Sequence, residues 1–169
     1  MKRFIVANSL KCKGKSVDKQ AQYQQVEREI ISVLDGEDNH LARMVSVACL
    51  LNQAFEAYFW TGFYLVDKQK GDELVVGPYQ GTLGCLRIRF GRGVCGVAAE
   101  TQTTQIVADV HDFPGHIACD SRSNSEIVVP CFDAKGDLWA VFDVDSESKN
   151  SFDEIDKYWL ERILHKVFA

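Results

Sequence analysis

The sequence predicts an α+β domain: a central, mostly antiparallel sheet, with helices from the N- and C-terminal ends packed on one of its faces. Three observations carry this reading. Apolar residues recur at helical spacing near both ends of the chain. Between them lie short β-rich runs whose side chains alternate apolar and polar. The last two runs are joined by the tight segment Asp133-Ala134-Lys135-Gly136, so they form a hairpin.

Taken in order, Asp18 to Leu34 reads as a helix ended by Gly36. Asp38 or Asn39 caps a second helix to about Ala57, with Leu41, Val45, Ala48, Cys49 and Phe55 on one side. Tyr58 to Val66 is aromatic and β-rich, a strand. Glu73 to Val76 and the alternating Leu86 to Phe90 follow as strands. A short helix runs from Val94 to Thr101, and Gln105 to Val107 is a short strand. The segment from Asp109 to Asn124 is a long loop, and loops of that length usually carry function. Ser125 to Phe132 and Leu138 to Asp145 are the hairpin strands. Ser151 and Glu154 read as the capping box of a last helix to Val167. Residues 1–17 read as an N-terminal extension and 18–169 as one domain.

Composition narrows the function. With 46% hydrophobic and 25% charged residues, the 169-residue chain is an ordinary globular protein able to bury a core. A net charge of −5 argues against nucleic acid as a partner. No apolar run approaches membrane-spanning length, and the apolar start is too short for a secretory signal. The expected location is the cytoplasm, where thiols stay reduced. Six cysteines are then not a structural framework. Cys49 and Cys131 fall in apolar patterns and read as small core residues, and Cys12 reads as exposed. Cys85, Cys95 and Cys119 each sit in a loop or glycine-rich turn, where a thiol can move to meet another. Three such thiols point to redox chemistry.

Two strand faces carry candidate site residues. In the last strand Trp139, Val141, Asp143 and Asp145 share one face, while Leu138, Ala140, Phe142 and Val144 share the core face. A turn of two or four residues centred on Ala134-Lys135 pairs Glu126 with Asp143; an odd turn would send Glu126 to the other face. Glu126, Asp143 and Asp145 thus form either an acid cluster that retains a proton, able to donate it to a substrate or to hold an ammonium group, or a plain solvated strand face that happens to carry charges. In the first strand Tyr58, Trp60, Gly62 and Tyr64 share a face, with Gly62 leaving space between two rings. That is either a pocket wall for a small apolar group or a plain aromatic patch under a helix.

Other patterns lead nowhere. Gly91-x-Gly93-x-x-Gly96 follows a strand but lacks the long crossover helix and distant acid of a dinucleotide site. Asp109, His111, Asp112, His116, Cys119 and Asp120 could ligate a metal, yet their spacing matches no familiar zinc pattern. No metal or organic cofactor is expected.

Longer stretches resemble a known family. Phe59-Trp60-Thr61-Gly62-Phe63-Tyr64-Leu65, Gly77-Pro78-Tyr79-Gln80-Gly81, Gly91 to Gly96, Asp109-Val110-His111, Gly115 to Asp120, Ser123 to Pro130 and Asp143-Val144-Asp145-Ser146 are similar to segments of the free methionine-R-sulfoxide reductases. The resemblance covers about Tyr58 to Leu164. It implies a GAF-type fold, usually homodimeric, acting on free L-methionine R-sulfoxide. It implies Cys119 as nucleophile, Cys85 as resolving thiol and Cys95 as a further thiol. It implies Glu126, Asp143 and Asp145 as substrate-binding and proton-handling acids, and Trp60 with Tyr64 as the wall around the substrate methyl group. A sulfenic acid and a disulfide would form in turn, with a thioredoxin-like reductant closing the cycle. Two rival readings are a GAF module that binds a small ligand without catalysis and a thiol redox sensor.

Overall fold

The computed structural model describes residues 18–117 and 119–169. The extension at 1–17, with Cys12, lies outside the described residues. Two helices open the described chain, α1 (Lys19–Val33) and α2 (His40–Ala54). Strands β1 (Trp60–Val66), β2 (Glu73–Gln80) and β3 (Arg87–Arg89) follow, then helix α3 (Gly93–Thr101) and strand β4 (Gln105–Val107). Strands β5 (Ser125–Phe132) and β6 (Leu138–Ser146) form the hairpin, and α4 (Glu154–Phe168) closes the chain.

The six strands form one sheet in the order β3-β2-β1-β6-β5-β4, with every pairing antiparallel. Helices α1, α2 and α4 cover one face, packing on Phe63, Ile127, Val129, Phe142 and Val144. The other face carries a second apolar cluster, in which α3 packs over Trp60, Tyr64, Val128 and Val141. The α+β reading with the terminal helices on one face therefore holds.

Local chemistry sets the helix starts. Asp18 caps α1 by accepting from the Gln20 amide (3.1 Å), and Asn39, rather than Asp38, caps α2 through the Ala42 amide (3.0 Å). The capping box of α4 is Asp153 with Asp156, not Ser151 with Glu154. Ser151 instead donates to Ser146 Oγ and the Ser148 carbonyl, holding the turn that precedes the helix. The side of α2 that groups Leu41, Val45, Ala48, Cys49 and Phe55 is divided between core and solvent, with Ala48 and Phe55 buried. The helix buries Met44, Val47, Ala48 and Leu51, leaving Leu41 and Val45 exposed. The helix is apolar nearly all round, so its periodicity did not select a face.

A buried polar knot ties the ends together. Tyr23 of α1 donates to Asp156 Oδ1 (2.8 Å), and Lys19 Nζ meets Asp156 Oδ2 at 2.6 Å. The Tyr23 and Tyr58 hydroxyls are also bonded to each other. Tyr58 precedes β1 and lies with the helical core, not on the Trp60 face.

The β5–β6 hairpin departs from the expected register. Its turn is odd: Asp133 N–H bonds the Asp137 carbonyl (3.0 Å) across Ala134, Lys135 and Gly136. Alone, this would have sent Glu126 to the helical face. A bulge compensates: Cys131 pairs Ala140 and Phe132 pairs Leu138, so Trp139 is the extra residue. Alternation is thereby restored, and Glu126 pairs with Asp145 while Asp143 faces Val128. The bulge also turns Trp139 onto the helical side, against Phe63 and Phe168, and Leu138 to the other, the reverse of the expected faces.

Candidate active site

The candidate residues gather on and over the sheet face opposite the terminal helices. β1 supplies Trp60 and Tyr64, β5 supplies Glu126, β6 supplies Asp143 and Asp145, and α3 supplies Cys95. The β2–β3 connection brings Cys85, and the long connection before β5 brings Cys119. One cavity is lined by Trp60, Tyr64, Cys119, Glu126, Asp143 and Asp145 together. Cys85 reaches it through its disulfide to Cys119, with a Cα–Cα separation of 5.3 Å. In this oxidised state the cavity encloses about 30 Å³, room for a water or two rather than an amino acid.

The aromatic wall is built by stacking. The Trp60 and Tyr64 rings lie 5.6 Å apart, and Tyr79 stacks on Trp60 at 5.0 Å. Tyr79 was missed in the sequence because β2 runs to Gln80 rather than stopping at Val76. Gly62 does not leave an open gap, since a Cβ there would overlap Tyr79 and the Pro78 carbonyl. It lets β2 close over the wall. Trp60 Nε1 donates to the Thr82 carbonyl (2.9 Å), and Thr82 Oγ1 donates to Asp120 Oδ2 (2.7 Å). Asp120 also takes Arg122 Nη2 at 2.9 Å. These bonds couple the two cysteine-bearing loops, and Arg122 holds the Asp120 carboxyl far below the usual carboxylate range.

The acids sit in the opposite environment. Burial raises the Glu126 and Asp143 carboxyls well above the usual range, and each is raised further by the negative charge of its neighbours. Asp145 is pushed up to about 6 by burial, against an opposing hydrogen bond from Ser123. Cys95 Sγ lies 3.8 Å from Glu126 Oε1, and burial with the adjacent carboxylates raises its thiol well above the ordinary value. Cys95 is thus a protonated thiol held among acids, 3% exposed and at the start of α3, rather than a mobile loop thiol. Two buried polar atoms that belong to residues lining this cavity have no hydrogen-bond partner among the described residues: Asp143 Oδ1 and His116 Nδ1. Burial lowers the His116 pKa, so its ring is neutral at pH 7. Orphaned groups of this kind are costly unless a ligand satisfies them.

Sequence reasoning brought the right acids to one face but paired them differently. It gave His111 and His116 the work of organising the loop by hydrogen bonds, or for one of them of stabilising a thiolate at Cys119, without choosing between them. His111 Nε2 pairs with Asn124 Oδ1 (3.2 Å) and organises the loop, whereas His116 belongs to the cavity. Ser123 and Ile88 also line it, and neither has a chemical signature that marks it in a bare sequence. Cys49 is half-buried at α2 and Cys131 fully buried under the hairpin, away from the cavity.

The sequence profile of the GAF domain matches residues 39–167. GAF domain-containing protein A of Dictyostelium discoideum is 49% identical over 86% of this chain and 90% of its own. The free methionine-R-sulfoxide reductase of Escherichia coli is 40% identical over 87% of this chain and 88% of its own. Among solved structures, the free methionine-R-sulfoxide reductase of Neisseria meningitidis in complex with its substrate superimposes with a TM-score of 0.84. It is 47% identical and covers 91% of this chain and 92% of that one.

Proposed function

The chain belongs to the GAF domain family, among its free methionine-R-sulfoxide reductases, and from that premise we propose that it reduces free L-methionine R-sulfoxide to L-methionine. The observation that carries the proposal is the cavity that joins a redox-active cysteine pair to buried acids and an aromatic wall. Cys119 is the nucleophile. Its thiolate attacks the sulfoxide sulfur while an acid of the cluster protonates the oxygen. Methionine departs and the oxygen stays on Cys119 as a sulfenic acid. Cys85 then attacks that sulfur, water leaves, and the disulfide forms. A thioredoxin-like dithiol exchanges with it, taking up the bond and returning two thiols.

The site explains the substrate. Carboxylates raised by burial gain a favourable partner when an ammonium arrives, and a residue inside a polypeptide has none to offer. Trp60 and Tyr64 receive the methyl group. Cys95 hydrogen-bonds the acids and is a positioning thiol in this scheme. The disulfide state is the product state, since its cavity is too small for an amino acid, and reduction must reopen it. We place the enzyme in the cytoplasm, working as a homodimer through the exposed Leu41 and Val45, one turn apart on α2, with Val33 at the end of α1.

The test is to incubate the reduced protein with each sulfoxide diastereomer and measure methionine. Only the R form should be consumed; equal turnover of both, or none of the R form, overturns the proposal.

A further inference from the structure

The acids and Cys95 hold a second chemistry. One ligand atom from each of Cys95, Glu126 and Asp143 lies within 4.8 Å of the other two, and all three residues are buried. The three come from α3, β5 and β6, which pack together, so the donors are fixed relative to one another. The Cys95 Sγ to Glu126 Oε1 separation is 3.8 Å. A tetrahedral zinc with Zn–S about 2.3 Å and Zn–O about 2.0 Å has an S···O edge of about 3.5 Å, so this pair needs little contraction, while the pairs to Asp143, at up to 4.8 Å, draw in by up to about 1.5 Å. The Asp143 Oδ1 atom has no hydrogen-bond partner among the described residues, and Asp143 is only 5% exposed. A buried carboxylate oxygen without a donor is what a cation would satisfy.

The donor set selects the ion. One thiolate with two carboxylates suits a borderline cation such as Zn²⁺ over Mg²⁺ or Ca²⁺, which prefer oxygen alone. Binding releases to solvent the thiol proton and any proton held by the two carboxyls, and the ion's charge offsets the repulsion between the carboxylates so formed. Three protein ligands leave a fourth position open towards the cavity.

We infer that Cys95, Glu126 and Asp143 form an inhibitory Zn²⁺ site, where the ion occupies the carboxylates that otherwise receive the substrate's ammonium. Metal binding stands on the geometry alone; the inhibitory half rests on the reductase reading.

The probe is Co²⁺, whose charge-transfer absorption reports a thiolate ligand. It is added to protein with the Cys85–Cys119 disulfide intact, so that those two sulfurs cannot bind. The band should appear, be displaced by Zn²⁺, persist in Cys12→Ser, Cys49→Ser and Cys131→Ser, and vanish in Cys95→Ser. Its absence in the wild type, or its survival in Cys95→Ser, overturns the site. Should Cys95→Ser fail to fold, Asp143→Asn decides, with at least about a tenfold loss of Co²⁺ affinity expected and unchanged affinity overturning the site. In a Cys85→Ser, Cys119→Ser protein, saturating methionine should abolish the band. A band that persists there overturns the inhibitory half. Failure of the diastereomer assay removes the reductase reading while leaving the cobalt result standing.

Discussion

Glu126 and Asp143 lie in the sheet interior with no basic side chain paired to them among the described residues. Burial raises both. A carboxyl raised in the folded state contributes stability that is complete below its unfolded pKa and is lost as pH climbs through the folded value. Glu126→Gln removes that loss. It should therefore stabilise the resting protein by about 1–2 kcal/mol near pH 8, and by less near pH 5, while turnover collapses. Urea unfolding at the two pH values checks this. The cysteines separate by role. Cys119→Ser should abolish methionine release. Cys85→Ser should release about one methionine per site and then stall with thioredoxin, a burst that rapid quench would resolve. Gly84 shapes the same wall: a Cβ there would sit 2.8 Å from Tyr64 Oη and 3.2 Å from Trp60 Cζ2. Both rings are buried and stacked and cannot yield, so Gly84→Ala should lower kcat/KM by roughly tenfold through misplaced substrate. The acids were legible because side chains alternate along a strand. The cysteine pairing was not, since the spacing of residues 85 and 119 offers no geometry, and only the family resemblance pointed to it. His116 was invisible as a cavity residue because its place depends on how a long loop folds back.

At the scale of elements, the sheet was read well where one side of a strand had to be buried, as in Phe63 against Trp60 and Tyr64. It was misread where tertiary packing chose. Trp139 is drawn out of alternation by Phe63, Phe168 and His40, which surround its ring at centroid distances of 5.9, 5.1 and 4.7 Å. No local pattern shows that attraction. Helix α2 offered two apolar sides, and only its contact with α1 and the sheet decided between them. The Asp156 knot gives a prediction at this scale. Asp156→Ala would leave Lys19 and the buried Tyr23 hydroxyl without their shared acceptor. It should cost about 3 kcal/mol, seen as a lower urea midpoint at unchanged slope.

For the molecule as a whole, surface and buried carboxyls answer to pH in opposite directions. Surface carboxyls at Asp67, paired with Arg87, Glu73, paired with Lys70 and Arg87, and Asp109, paired with Lys149, are lowered. Their contribution is present above the unfolded carboxylate value and is lost as pH falls through the folded one. The buried acids work the other way, with Asp145 titrating at about 6. Stability should therefore peak near about pH 4, where the lowered acids have ionised and the raised ones have not begun to lose theirs, and decline on both sides, which thermal unfolding across pH would trace. The exposed apolar face of α2 predicts association: Leu41→Glu with Val45→Glu should convert a dimer to a monomer in sedimentation experiments. The three-residue turn and its bulge, finally, constrain how the gene can drift. Loss of either single residue would invert the inward set of β5 and put Glu126 among the helices, so length changes in this hairpin survive only as compensating pairs, an evenness rule that descent must respect.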